Sequence, residues 1–425
     1  MQIIDRTQAP NFKVPDELSF PEVETTLVNN TNVKCMRSSG PPVVRLEFVF
    51  SSGVYYEDVP GQSYFAAKML LGGTSKLSAS EISSLLEFHG IQLDVSTGLD
   101  LTTLTVYCLD KKVFEALEIL KTLLFDSAFP NEEFQHQKQL KQQEVIVNLE
   151  KTSFLASREI RVNLFGNHPY GKSISVQDIE NLSLDSIVGF ARTKLLSSPN
   201  VFVSGSYSDS SFDAVKSFVD MFERGEAQAE VRFANGSMPE TKKITKKGAV
   251  QASIRLAMPV IPMTHTDYST LVVCNELFGG FFGSRLMKNI REEKGYTYGI
   301  SSSMAHPLHA SFMIIGTDVA IEYVDSTLGE IKLEMTKLQN EMVADSELNL
   351  VKNHMIGSMQ SSLNTPFGLM DRYKSVYFAK LDEQFYRDYP LKIREVSSKD
   401  VLSVAQKYLQ YGSFDSVVVG DFGSL

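Results

Sequence analysis

The chain has 425 residues, 43% of them hydrophobic and 22% charged, with a formal net charge of −10. This is ordinary globular usage in a chain long enough for two or three domains, and the lack of a lysine–arginine block speaks against nucleic acid, whose phosphates need clustered cations. Cys35, Cys108 and Cys274 are far apart and form no C-x-x-C pair, so they read as three reduced thiols rather than a disulfide framework.

The first residues, Met1 to Arg6, are too polar for the apolar region of a signal peptide, and no apolar run approaches the roughly 18 residues of a membrane span. A cytoplasmic protein is expected, or a periplasmic one if a leader has been removed. After an N-terminal tail, Val43 to Phe50 forms an apolar strand, and Tyr64 to Leu71 a helix that ends in Gly72-Gly73. Ser78 and Glu81 have capping-box spacing ahead of an apolar-periodic helix. Leu101 to Leu109 is β-branched and partly alternating, as a strand should be. Val113, Phe114, Leu117, Leu120 and Leu124 recur at helical spacing. A capped helix from Leu184 to Leu195 then leads to a strand at Asn200 to Ser206.

The stretch from Glu223 to Gly248 breaks the pattern. It holds Gly225, Asn235-Gly236-Ser237, Pro239 and four lysines, and its composition reads as a solvated linker. Beyond it the earlier order returns. A strand at Ala252 to Val260 precedes a helix from Ser269 to Phe278 that ends in Gly279-Gly280. Ala310 to Gly316 reads as a strand, Val324 to Leu338 as a long helix, Val401 to Leu409 as a helix and Asp415 to Asp421 as a final strand. A repeated order of about six elements predicts two similar α/β units, residues 1–222 and 249–425, joined by a linker at 223–248. Each is expected to be an α+β sandwich, a mixed, largely antiparallel sheet backed by helices.

Candidate sites are few. His306-x-x-His309 has the only metal-like histidine spacing, but it surrounds Pro307 between two strand-like runs and reads as a surface turn. His168 lies in the turn Asn167-His168-Pro169-Tyr170 and reads as structural. The segment Gly279 to Ser284 lacks both G-x-x-x-x-G-K-[ST] and G-x-G-x-x-G, so a tight backbone loop is the better reading than a phosphate cradle.

Several pieces together carry a family likeness: Leu71-Gly72-Gly73-Thr74, Phe165 to Gly171, Leu277 to Leu286, and above all Ile290-Arg291-Glu292-Glu293-Lys294-Gly295-Tyr296-Thr297-Tyr298. With these motifs the chain resembles, over nearly its whole length, the insulinase/pitrilysin family of zinc peptidases, including mitochondrial-processing-peptidase-like proteins. That family carries H-x-x-E-H near the end of its first long helix. Two histidines at i and i+4 share one helix face and hold zinc with a distant carboxylate, while the glutamate deprotonates the metal-bound water. Here Tyr64 stands at the first histidine position, Ala67 at the glutamate and Lys68 at the second histidine. The distant carboxylate position falls near Gln142, with Glu144 two residues on. The resemblance therefore implies a chain without zinc of its own, and Lys68 is expected to be held by a carboxylate, Glu144 first.

In active relatives an Arg and a Tyr at the spacing of Arg291 and Tyr298 hydrogen-bond the substrate and its oxyanion. From the residues alone, Arg291 reads better as a helix-surface residue paired with Glu292 or a neighbour, and Tyr298 as a core aromatic alternating with Tyr296; the surrounding family motif reverses that preference. The resemblance implies a non-catalytic subunit, inactive by itself, forming half of a clam-shell with an H-x-x-E-H partner that carries the zinc. Unfolded or short peptides would be the substrate, with a homodimer as the alternative assembly in isolation. The rival readings are a scaffold subunit like the respiratory-complex core proteins and, less favoured, a self-sufficient zinc endopeptidase.

Overall fold

Eleven strands form two sheets in the computed structural model, which describes residues 20, 22–29, 31–222 and 238–423. The first sheet contains β1 (Glu24–Val28), β2 (Thr31–Arg37), β3 (Val43–Phe50), β4 (Gln92–Thr97), β5 (Thr102–Leu109) and β6 (Asn200–Gly205), in the order β1-β2-β6-β3-β5-β4. The second contains β7 (Thr241–Thr245), β8 (Gln251–Pro259), β9 (Thr297–Ala305), β10 (Phe312–Ala320) and β11 (Asp415–Gly420), in the order β7-β11-β8-β10-β9. Without β1 the two orders are the same. In each, one parallel pair, β2–β6 or β7–β11, joins a sheet that is otherwise antiparallel. The repeat expected from the order of elements is present, as mixed sheets backed by helices.

The central strands are apolar because both faces are covered: β3 is buried from Val44 to Phe50, and β11 throughout. On one face of each sheet lie the helices of its own half, which form the two main cores. The other face is covered by a helix from the opposite half. Helix Thr152–Phe165 packs Ala156, Ile160 and Leu164 against Ala257 of β8 and Val417 and Val419 of β11. Reciprocally, helix Pro366–Phe378 packs Met370 against Met36, Val49 and Phe202 of the first sheet. Beside that contact the buried Arg45 forms ion pairs with Asp371 at 2.9 Å and Glu47 at 3.1 Å, and Lys374 also pairs with Glu47.

Two readings need correction. Of the stretch taken as linker, residues 223–237 lie outside the described residues, but Thr241–Thr245 is the edge strand β7. Its lysines made it look like linker; charged edge strands are a common guard against unwanted pairing. Lys242 reaches Glu159 at 2.6 Å while Ile244 packs inward. The turn at His306–His309 does connect two strands, but its histidines are not at the surface. His309 stacks on Tyr55 with ring centroids 3.8 Å apart, and its Nε2 lies 3.8 Å from Asp100. Asp100 also accepts from the Leu308 N–H at 2.9 Å and from the Tyr170 hydroxyl. The turn thus joins the halves, and His168, buried and accepting from the Tyr170 N–H at 3.2 Å, has the expected structural role beside the same joint.

Candidate functional site

The first half presents its degenerate motif on helix Gln62–Met69. Gly61, at φ +100°, opens the helix, and the buried Glu57 carboxylate accepts from the N–H groups of Gly61 at 3.0 Å and Ser63 at 2.9 Å. Phe65, Ala66 and Met69 face the core and Ala67 is also buried. Tyr64 and Lys68, four residues apart, share the outer face: Tyr64 is half-buried and Lys68 exposed.

Beside them runs helix Asn131–Leu149. Its Lys141 places Nζ over the Tyr64 ring, 4.2 Å from the centroid, and bonds Glu144 Oε1 at 2.8 Å. Burial, and secondarily the charge of Glu144, push the Tyr64 phenol above its ordinary pKa. The expected partnership of Lys68 with Glu144 is therefore wrong. Among the described residues Lys68 has no ion pair, and Glu144 is taken by Lys141, which its own helix brings within reach at i,i+3.

These groups do not fit zinc. A phenol held above its usual pKa is a poor ligand, alanine offers no donor, and an ammonium repels a dication. Among the described residues no group of three or more His, Cys, Asp or Glu side chains could hold a metal ion, and no helix is long and apolar enough to cross a membrane.

In the second half, Arg291 lies on a segment wound with π-type turns, Met287–Glu293, of a kind often found at functional sites. Arg291 is half-buried, its guanidinium carbon 4.5 Å from the centre of the Phe282 ring in the glycine-rich loop. No ion pair with Glu292 or any other described carboxylate holds it. That loop is tight as expected: a Cβ at Gly279 would lie 2.7 Å from the Ser302 Cβ.

Tyr298 is 92% exposed, which disposes of the core-aromatic alternative. Tyr296 instead stacks on Tyr323 at 4.5 Å. The pairing of β9 with β10 slips between Ile300–Thr317 and Thr297–Val319, so Tyr298 and Gly299 oppose Asp318 alone. This bulge turns Tyr298 outward. Tyr298 lines a cavity of about 400 Å³ with Arg255, Ser301, Ser303, Ile314, Thr317 and Asp318. Arg255 bonds Asp318 at 3.3 Å and, through Nε, Ser157 of the first half at 3.2 Å. Sequence reading missed Arg255, since an arginine within an apolar strand had no motif to mark it.

Comparison with known proteins gives two family matches: residues 36–177 match "Insulinase (Peptidase family M16)" and residues 200–355 match "Peptidase M16 inactive domain". A protein of Bacillus subtilis named "Uncharacterized zinc protease YmxG" is 25% identical over 74% of this chain and 77% of its own length. The "Non-peptidase homolog YmxG" of Helicobacter pylori is 23% identical over 85% and 84%. The fold matches that of a solved "peptidase M16 inactive domain" from Pseudomonas fluorescens with a TM-score of 0.86, at 21% identity over 94% of this chain and 98% of that one.

Proposed function

The chain belongs to the insulinase (M16) peptidase family as a member without the zinc motif, and from this we propose that it is the non-catalytic subunit of a two-chain zinc peptidase. A partner bearing H-x-x-E-H holds the metal; this chain closes the chamber and supplies Arg291 and Tyr298 to bind unfolded or short peptides.

The observation that carries the reading is a contrast between the halves. The metal position of the first half holds Tyr64, Ala67 and Lys68, whereas the second half keeps Arg291 without an ion pair to any described carboxylate and Tyr298 exposed beside a cavity. A guanidinium without a counter-ion retains its donors for a substrate carbonyl or a developing oxyanion. The phenol adds one donor, and β9, as an edge strand, offers unpaired backbone groups to an extended peptide.

The test is peptide hydrolysis by an H-x-x-E-H paralogue from the same genome, alone and mixed with this chain. The mixture should be much faster. Arg291→Ala should leave assembly intact and lower kcat by roughly 10²–10³, as loss of an oxyanion donor does elsewhere. Equal rates for the wild-type and Arg291→Ala pairs would overturn the role of Arg291 and favour a scaffold.

A further inference from the structure

The family's metal position is not simply emptied in this chain; we infer that the ammonium of Lys141 takes the place of the ion. The argument rests on which groups hold it. Nζ sits 4.2 Å from the centre of the Tyr64 ring, the residue at the first ligand position, and 2.8 Å from Glu144 Oε1, beside the expected third ligand position. Helix Gln62–Met69 and helix Asn131–Leu149, which a zinc ion bridges in active relatives, are here bridged by a covalently attached cation.

The side chain of Lys141 is only 14% exposed, its stem packed along the helix surface, and its ammonium is held between the Tyr64 face and the Glu144 carboxylate. Lys141 thus does two things at once: it keeps a dication away by repulsion, and it engages Glu144, a carboxylate a dication would need. The locus is self-neutralised and independent of metal supply. This holds whether or not the chain pairs with an active subunit, so its test needs no partner.

The probe is zinc chloride, followed by isothermal titration and elemental analysis of the full chain. The Tyr64→His/Lys68→His variant restores two imidazoles at i,i+4 but leaves Lys141; its zinc affinity should stay low. Adding Lys141→Met should raise that affinity at least about tenfold, the scale on which groups beside a metal site act. Equal affinity with and without Lys141, or a triple variant folded by circular dichroism that takes no zinc, would overturn the inference.

A second measurement does not depend on the histidine variants folding. In a cycle of Tyr64→Leu and Lys141→Met, followed by urea midpoint, the double variant should lose less than the sum of the single losses. Strict additivity would mean that the two side chains do not interact, and would equally overturn the inference.

Discussion

At the scale of single residues, the outcome of each substitution depends on what surrounds it rather than on its type. Tyr298→Phe removes a hydroxyl from a side chain that touches little of its own protein, so it should leave the thermal midpoint unchanged while lowering the rate of the mixed complex less than Arg291→Ala does. A large stability loss would count against that placement. His306 is a different case. Its Nδ1 is 2.9 Å from the Ser311 hydroxyl and its Nε2 is buried without a hydrogen-bond partner, and burial lowers its pKa to about 4. The unfolded chain binds a proton at His306 near pH 6.5, whereas the folded chain resists it to about pH 4, so stability should fall as the pH drops across that window. After allowance for partial exposure the loss is on the order of 2 kcal/mol. Unfolding midpoints of wild type and His306→Asn, measured from pH 4 to 7, should converge at the acid end. Neither behaviour was legible in the sequence, where His306 was one half of a spacing and Tyr298 one of two alternating tyrosines.

At the scale of elements, local signals were read well where the chemistry is local. The capping box at Ser78 and Glu81 forms as its spacing requires: the Glu81 N–H donates to Ser78 Oγ at 3.3 Å and the Ser78 N–H to Glu81 Oε2 at 2.8 Å. Ser78→Ala should cost about 1 kcal/mol in urea unfolding. The helix Thr152–Phe165 has no comparable signature of its partner, since its periodicity says only that one face is apolar. In the structure that face meets the other half's sheet, with Ile160 1% exposed. Ile160→Ala should cost about 2–5 kcal/mol, the range for deleting a buried branched side chain. A loss under about 1 kcal/mol would mean that the contact between the halves is loose. The strand β7 was hidden for a related reason: an edge strand is charged for solubility, and so is a linker.

At the scale of the whole molecule, the exchange of helices makes each half incomplete without the other. Removing residues 238–423 would uncover the face of the first sheet that helix Pro366–Phe378 covers and leave Arg45 and Glu47 without Asp371 and Lys374. The chain should therefore unfold in one calorimetric transition, and residues 1–222 expressed alone should aggregate or remain partly unfolded. Two well-separated transitions would show that each half is stable by itself. The same exchange brings Ser157 of the first half to Arg255 at the rim of the cavity beside Tyr298. The residues lining that cavity come from the second half, and the first half supports it through the bond to Arg255.

The amino-acid order alone pointed to the family frame, the internal repeat and the lack of an H-x-x-E-H motif, with Tyr64, Ala67 and Lys68 where the resemblance would put it. Each of these depends on residue type, spacing and the order of segments along the chain, so no knowledge of spatial neighbours was needed. Tertiary structure alone decided that Lys141, rather than Lys68, pairs with Glu144 and lies over the Tyr64 ring, that a bulge exposes Tyr298, and that His309 bridges the halves. Those outcomes depend on which helix or strand comes to lie beside another. Lys68 and Glu144 were plausible partners by charge, but Glu144 had Lys141 within reach on its own helix, and the ring that completes that site comes from 77 residues earlier in the chain.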